Sequence, residues 1–355
     1  MKTLHSLVIV GNAGGTNVGW SLFDGARQLG LSATFCDATR AFRAPAWLAR
    51  LNWRLRGHRP TRLRAFSTQV AETCARARPD WLLTTGMAPV EAEALGSIGR
   101  MGIQRISYLT DDPWNELFKA EWFFDALPHY DRVFSTRRAN LADLKGCGCA
   151  NASYLPFGYD PALFAGDEPA VNCQRLVPQA DVLFVGGADR DRVRYAEAII
   201  GEGFRVALYG AYWDRFRVTR PCAYGQADPA TVRKATRATK VALCLVRRAN
   251  RDGHVMRSFE IPAIGGCLLA EDTHEHREVL GPEGNAVLYF SGIDQMLAKL
   301  RWLLDRPQER QRLAQAAHRL IVSGRNTYRD RLITMLGLNA SAGQQSAAST
   351  QALAP

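Results

Sequence analysis

The sequence predicts a parallel α/β protein built from two doubly wound halves in succession. Three observations carry this. Short apolar runs of strand length alternate with helical stretches along the chain, the pattern of parallel sheets covered by helices. The pattern restarts near residue 182, where a new leading strand ends in Gly186-Gly187. The length of 355 residues suits two domains at roughly 150 residues each.

In the first half, strands are expected over residues 7–10, 33–36, 81–85, 105–109 and 132–135, with helices between them, for example over 62–78 and 90–100. In the second half, strands are expected over 182–185, 205–209, 241–246, 267–270 and 286–290. Helices are expected over about 190–200, 229–238, 274–280, 293–305 and 307–322. The join falls at 161–178, which carries Pro, Gly and Asp and no periodicity. Two such halves imply Rossmann-like domains facing one central cleft, with ligands beyond the carboxyl ends of the strands. The tail over 338–355 is uncharged, rich in Ala, Ser, Gln and Thr, and is read as disordered.

Composition narrows the class. The chain is 47% hydrophobic and 22% charged, as an ordinary protein with a large core is. No apolar run approaches the ~20 residues that span a bilayer. The run over 4–10 ends in a Gly-rich loop and reads as a first strand, not a signal peptide. The cysteines Cys36, Cys74, Cys173, Cys222, Cys244 and Cys267 are scattered, and Cys147-x-Cys149 alone is not a zinc pattern. A reducing, cytoplasmic location is expected, and no metal. The net charge of +11 favours an anionic partner: a nucleotide, an anionic lipid or a nucleic acid.

The most informative segment runs from 241 to 270. An apolar strand is followed by the cationic loop Arg247-Arg248-Ala249-Asn250-Arg251-Asp252-Gly253-His254. A helix is expected from about His254 to Gly265-Gly266, since glycine commonly follows a helix. A helix N-terminus with added cations suits a diphosphate. His254, Arg257 and Glu260 are spaced by three, so one helical face would carry all three over roughly 9 Å of axis. A carboxylate such as Glu260 can accept two hydrogen bonds from ribose hydroxyls. The same residues also allow a surface glutamate paired with Arg257 and a solvated arginine loop. Thr273 fits an N-cap of the next helix. His274 and His276, two apart on a helix, point away from each other and do not make a metal pair.

Phe259-Glu260-Ile261-Pro262-Ala263-x-Gly265-Gly266, then a strand, then Glu271-x-Thr273-x-Glu275-His276, resembles glycosyltransferases related to the spore maturation protein CgeB. These belong to the group-1 glycosyltransferases of GT-B fold. The resemblance continues through Ala286-Val287-x-Tyr289-Phe290, Ala298-Lys299-x-x-Trp302-x-Leu304 and Asn326-Thr327-Tyr328-x-x-Arg331. Tyr154-Leu155-Pro156-Phe157-Gly158-Tyr159-Asp160-Pro161 resembles the family's passage between domains. It spans roughly residues 105–331.

The resemblance implies a GT-B fold of two Rossmann-like doubly wound domains. The N-terminal, acceptor-side domain would occupy 1–165 and the nucleotide-sugar domain 178–325, followed by a helical segment over 326–337. It implies a donor site built from Gly186, Gly187, Arg247, Arg248, Asp252, His254, Arg257, Glu260 and Thr273, with Glu260 on ribose. Asp252 stands where the family's Glu-x7-Glu pattern has its first glutamate, a shorter carboxylate for the sugar contact. The donor implied is a nucleoside diphosphate sugar, expected to be used without a metal or other cofactor. The acceptor expected is a saccharide or lipid-linked hydroxyl, in cell-surface glycan or glycolipid synthesis. A non-catalytic relative that binds a nucleotide sugar or a partner is the alternative.

The first half offers two further features. The loop after its first strand contains Gly14, Gly15 and Asn17, does not match G-x-G-x-x-G, and is expected on the acceptor side. Asp111 and Asp112 end a strand and are candidates for the base that deprotonates the acceptor.

Residues 38–71 hold no acidic residue but contain Arg40, Arg43, Arg50, Arg54, Arg56, Arg59, Arg62 and Arg64. Trp47, Leu48, Leu51 and Leu55 would share one helical face, with Trp53 to one side. That reads either as a helix lying on an anionic membrane, peripheral at its inner face, or as a surface helix packing its leucines inward. Nucleic acid is disfavoured, because no stacking-aromatic motif or recognition helix accompanies the arginines.

Overall fold

The computed structural model describes residues 5–165 and 177–338. Cys173, most of the join expected over 161–178, and all but the first residue of the tail expected over 338–355 lie outside the described residues. The chain forms two compact units. The first comprises described residues up to Pro156, the segment Arg248–Arg251 and the chain from Tyr328 on; the second comprises Phe157–Arg247 and Asp252–Thr327.

The first unit opens with β1 (Ser6–Gly11), α1 (Val18–Gln28), β2 (Ser32–Asp37), α2 (Ala46–Leu55), α3 (Leu63–Ala77), β3 (Trp81–Thr85) and α4 (Ala92–Arg100). It continues with β4 (Gln104–Leu109), α5 (Glu121–Ala126), β5 (Arg132–Ser135), α6 (Asn140–Gly146) and β6 (Ala152–Tyr154). The six strands are parallel in the order β2-β1-β3-β4-β5-β6. Successive residues Leu7, Val8, Ile9 and Val10 are all buried, so both faces of the sheet are covered.

The second unit contains α7 (Pro161–Phe164), β7 (Val182–Val185), α8 (Arg190–Gly201), β8 (Val206–Tyr209), α9 (Pro229–Ala238), β9 (Val241–Cys244) and α10 (Arg257–Ile264). Then come β10 (Leu268–Glu271), α11 (His274–Leu280), β11 (Leu288–Phe290), α12 (Ile293–Leu304) and α13 (Pro307–Ser323). Its five strands are also parallel, in the order β11-β10-β9-β7-β8. Local chemistry sets several boundaries. Asp189 and Asp228 cap α8 and α9 through the backbone N–H groups of Arg192 and Thr231, and Pro229 pre-sets the first turn of α9. Gly265 ends α10 with φ 92°.

A doubly wound sheet reverses its strand order at one place, and loops leaving the strands there diverge to opposite faces. In the first sheet that place lies between β1 and β3, and in the second between β7 and β9. Both are flanked by glycine-containing loops.

The chain closes on the first unit. The last helix among the described residues, α14 (Tyr328–Leu336), packs on α1 at a close backbone approach. A Cβ on Gly25 would stand 3.1 Å from the Arg329 Cα. Gly25→Leu should therefore cost about 1–3 kcal/mol of unfolding free energy by overpacking. Gly201→Ala, at a helical glycine with open space around it, should not destabilise. Urea unfolding of the two variants checks the difference.

Candidate functional site

The carboxyl edge of the second sheet is organised by a buried arginine. Arg192, on α8, donates to the carbonyl of Gly187 at 3.2 Å and to that of Leu245 at 3.1 Å. It thereby joins the chain leaving β7 to the chain leaving β9, across the reversal of strand order. Burial, and next the charge of Arg247, lower its pKa. Two neighbouring guanidinium groups at one sheet edge make a field that favours an anion. Asp189 offsets part of it, with one carboxylate oxygen 3.6 Å from Arg192 Nε and 3.5 Å from Arg247 Nε.

Gly186 and Gly187 sit beside this pair. Gly186 accepts a hydrogen bond from Trp213 Nε1 at 2.8 Å. Gly210, after β8, has φ 134°, and a Cβ there would run into the Gly186 carbonyl. Neither Arg192 nor Gly210 was singled out by the sequence pattern. Gly210 had a signal, a glycine directly after a strand; Arg192 had none, because a buried arginine reads as any other charge on a helix.

The loop after β9 differs from expectation in what its residues do. Asp252 accepts the backbone N–H of Arg247 at 3.3 Å, and its own N–H donates to the Arg247 carbonyl at 3.2 Å. Asp252 therefore closes the base of the loop. Arg248 is exposed. Arg251, with φ 49°, belongs to the first unit. There its guanidinium grips both oxygens of Asp112, at 2.6 and 2.9 Å, and Asp143 at 2.7 Å. These bonds, Asp112 foremost, raise its pKa and hold it charged.

Helix α10 begins at Arg257, three residues later than expected, so His254 is not on its face. His254 is buried between the rings of Phe157 and Phe259, and its Nε2 accepts the Phe157 N–H at 3.0 Å. That nitrogen carries no proton and is not turned to a phosphate. The expected 9 Å array reduces to Arg257 and Glu260, one turn apart. Glu260 is fully buried and ion-paired with Arg257, and neither carboxylate oxygen accepts a well-formed hydrogen bond among the described residues. A carboxylate in the interior with unused acceptor capacity is a costly arrangement.

Beneath Glu260 lies a satisfied polar network. His276 Nδ1 donates to the Glu271 carbonyl at 2.7 Å, which leaves Nε2 to accept the Ser258 hydroxyl at 2.8 Å. Ser258 Oγ in turn accepts the Val255 N–H at 3.1 Å. Thr273 caps α11 through the His276 N–H at 3.0 Å and donates to the Gly253 carbonyl. Thr273 thus has the capping role. His274 is exposed beside Glu278, and no three His, Cys, Asp or Glu among the described residues are grouped to hold a metal.

In the first unit, the carboxyl edge gathers the loops after β1, β3 and β4. Gly14 and Gly15 have φ 70° and 57°, with open space around them. The Asn17 side chain donates to the Gly14 carbonyl at 2.8 Å, shaping this loop from within. Gly86 (φ 61°) passes close to Asp111, whose Oδ2 would lie 2.6 Å from a Cβ there. Asp111 is exposed. Asp112 is not available as a base: it is buried, paired through both oxygens with Arg251, and also accepts the Trp114 N–H at 3.1 Å.

Residues 191–337 match the model of a family described as glycosyl transferase-like. No curated protein sequence matches the chain. Solved structures do. Sucrose-phosphate synthase from Thermosynechococcus elongatus is 12% identical, with a TM-score of 0.65 over 97% of this chain and 100% of that one. Anabaena HepE, solved with UDP-glucose, is 12% identical, with a TM-score of 0.61 over 98% and 100%. AviGT4, a glycosyltransferase of avilamycin A biosynthesis, is 15% identical, with a TM-score of 0.58 over 93% and 96%. At these identities the likeness is one of fold: two parallel-sheet, Rossmann-like units of the GT-B type.

Burial pushes the pKa of His276 down from 6.5 to about 4. Unfolded chains take up this proton near pH 6.5 and folded ones only near 4. Stability is therefore full above pH 6.5 and falls as pH drops from there toward 4, by up to about 3 kcal/mol. Urea unfolding at pH 7 and at pH 4.5 should show a larger acid loss for the wild type than for His276→Gln. Equal losses would contradict the buried neutral imidazole.

Proposed function

We propose that the chain is a glycosyltransferase that moves a sugar from a nucleoside diphosphate sugar to an acceptor hydroxyl. The observation that carries this is Glu260. A buried carboxylate with unused acceptor capacity stands at the position where the group-1 pattern has its ribose-binding glutamate. The ribose hydroxyls would supply the two donors that the interior lacks, with the Arg257 side chain moving aside to admit them. The match over residues 191–337 and the fold shared with UDP-glucose-bound HepE support the reading.

In this reading the diphosphate lies over Gly186 and Gly187, with Arg247 beside it and the charge of Arg192 below. As the glycosidic bond to the donor breaks, charge builds on the leaving diphosphate, and fixed guanidinium groups stabilise it without reorganising. No step requires a metal. Asp111, the exposed member of the Asp111-Asp112 pair, whose Oδ2 accepts the Thr110 hydroxyl at 3.3 Å, takes the acceptor hydroxyl proton in an inverting transfer. The acceptor is a saccharide or a lipid-linked hydroxyl, and the resemblance of the 259–331 motifs to CgeB-like enzymes supports assignment to that branch of the group-1 enzymes. The engagement of Asp252 in closing its own loop favours one other reading, a relative that binds the donor and does not turn it over.

Donor binding and nucleoside diphosphate release, measured over a panel of donors and acceptors, test both. Glu260→Ala should lose at least about tenfold in donor affinity. Asp111→Asn should keep donor affinity and lose about a hundredfold or more in turnover. Unchanged binding in Glu260→Ala would move the donor elsewhere. Tight binding with no release by the wild type would select the non-catalytic reading.

A further inference from the structure

The sequence leaves two orientations open for α2, and the structure chooses one. Leu48, Ala49, Asn52 and Trp53 are half-buried and turn toward the first unit. Trp47, Leu51 and Leu55, spaced by four, form a stripe on the opposite side, exposed by 67%, 49% and 74%. No residue of this helix is buried. The leucine stripe is not packed inward.

The stripe is not isolated. The Trp53 ring lies 4.6 Å from that of His58, and His58 Nδ1 donates to the Lys119 carbonyl at 2.7 Å. Trp122 Nε1 donates to the His58 carbonyl at 3.3 Å. These contacts fix the segment before α5 against the end of α2, and that segment exposes Leu117 and Phe118. Phe42, just ahead of α2, is exposed as well. Phe42, Leu117 and Phe118 are thus exposed on segments tied to α2 by the chain or by these contacts, and large apolar side chains exposed in such number point to a binding surface.

On α2 itself the charge has one sign. Arg50 and Arg54 share the outward side of α2 with the stripe, and Arg43 and Arg56 flank its ends; all four are exposed. Carboxylates at the border are already engaged, Glu91 by Arg59 and Glu116 by Lys119. An apolar stripe rimmed by arginines, on a helix with no carboxylate, complements a bilayer surface bearing anionic headgroups. It fits a folded partner or a nucleic acid less well. A nucleic acid has no apolar phase to receive Trp47, Leu51 and Leu55 side by side.

We infer that α2, with Leu117 and Phe118, is a membrane-docking surface that lies in the plane of an anionic lipid bilayer. Its apolar stripe enters the headgroup boundary and its arginines pair with lipid phosphates. Attachment is peripheral; among the described residues no helix is long and apolar enough to cross a membrane.

Flotation of the full chain with vesicles tests this. The probes are vesicles of phosphatidylcholine alone and vesicles containing phosphatidylglycerol, at about 0.15 M ionic strength, where charges are screened beyond about 8 Å. The wild type should float with the anionic vesicles only. Trp47→Ser/Leu51→Ser/Leu55→Ser should lose at least about tenfold in partitioning at an unchanged melting temperature, since these side chains support no core. Leu117→Ser/Phe118→Ser should weaken binding without touching α2, and Arg50→Gln/Arg54→Gln/Arg56→Gln should remove the preference for anionic lipid. Absence of flotation with anionic vesicles, or flotation undiminished in both serine variants, would overturn the inference. So would tight duplex RNA binding by wild type and serine variants alike, without flotation. None of these readouts involves a sugar donor, so their failure leaves the glycosyl-transfer reading as it stands.

Discussion

An ionised carboxylate in a protein interior is costly without a counter-charge, and Glu260 has Arg257 one helical turn away. That pair fixes much of what surrounds it. Arg257 and Glu260 come within one turn because α10 starts where it does, and α10 starts there because Val255 and Ser258 are held by a closed polar network. Ser258 is bonded to His276, and His276 to the backbone at the end of β10. Every buried polar atom on the His276 ring has a partner, so this part is rigid. Glu260 is the contrast: it is buried, set against Arg257 and short of hydrogen-bond donors. A stiff frame around one under-used carboxylate is what a binding site needs if it is to be shaped before its ligand arrives.

The second organising element is Arg192. Its guanidinium spans the reversal of strand order between β7 and β9 and fixes the carbonyls of Gly187 and Leu245. In a doubly wound sheet this is where loops part and leave room for a ligand. In the first unit, the glycine-bearing loop after β3 adjoins Asp111. Two copies of one architecture therefore offer different chemistry at the same topological place: cations in one, an exposed carboxylate in the other.

The strands were legible because parallel strands covered on both faces must be continuous apolar runs, and Leu7 to Val10 or Val241 to Cys244 can hardly be read otherwise. The short β6 (Ala152–Tyr154) escaped, having only three half-exposed or exposed residues. Side-chain roles were harder to read. His254 meets Phe157 across 97 positions and Arg251 meets Asp112 across 139, so local spacing held no trace of either. The start of α10 was misjudged because no Ser, Thr, Asp or Asn caps it; Met256 occupies that place. For α2, helical periodicity gave the apolar stripe but not its direction, since a stripe toward a core and a stripe toward lipid have the same spacing.

In the proposed function, Glu260 receives the hydroxyls of a donor ribose. Calorimetric titration of a nucleoside diphosphate against its 2′,3′-dideoxy counterpart measures this directly. The wild type should bind the dideoxy compound at least about tenfold more weakly, as expected when hydrogen bonds to a charged group are lost. Glu260→Ala should bind the two alike. Equal affinity of the wild type for both compounds would contradict that role.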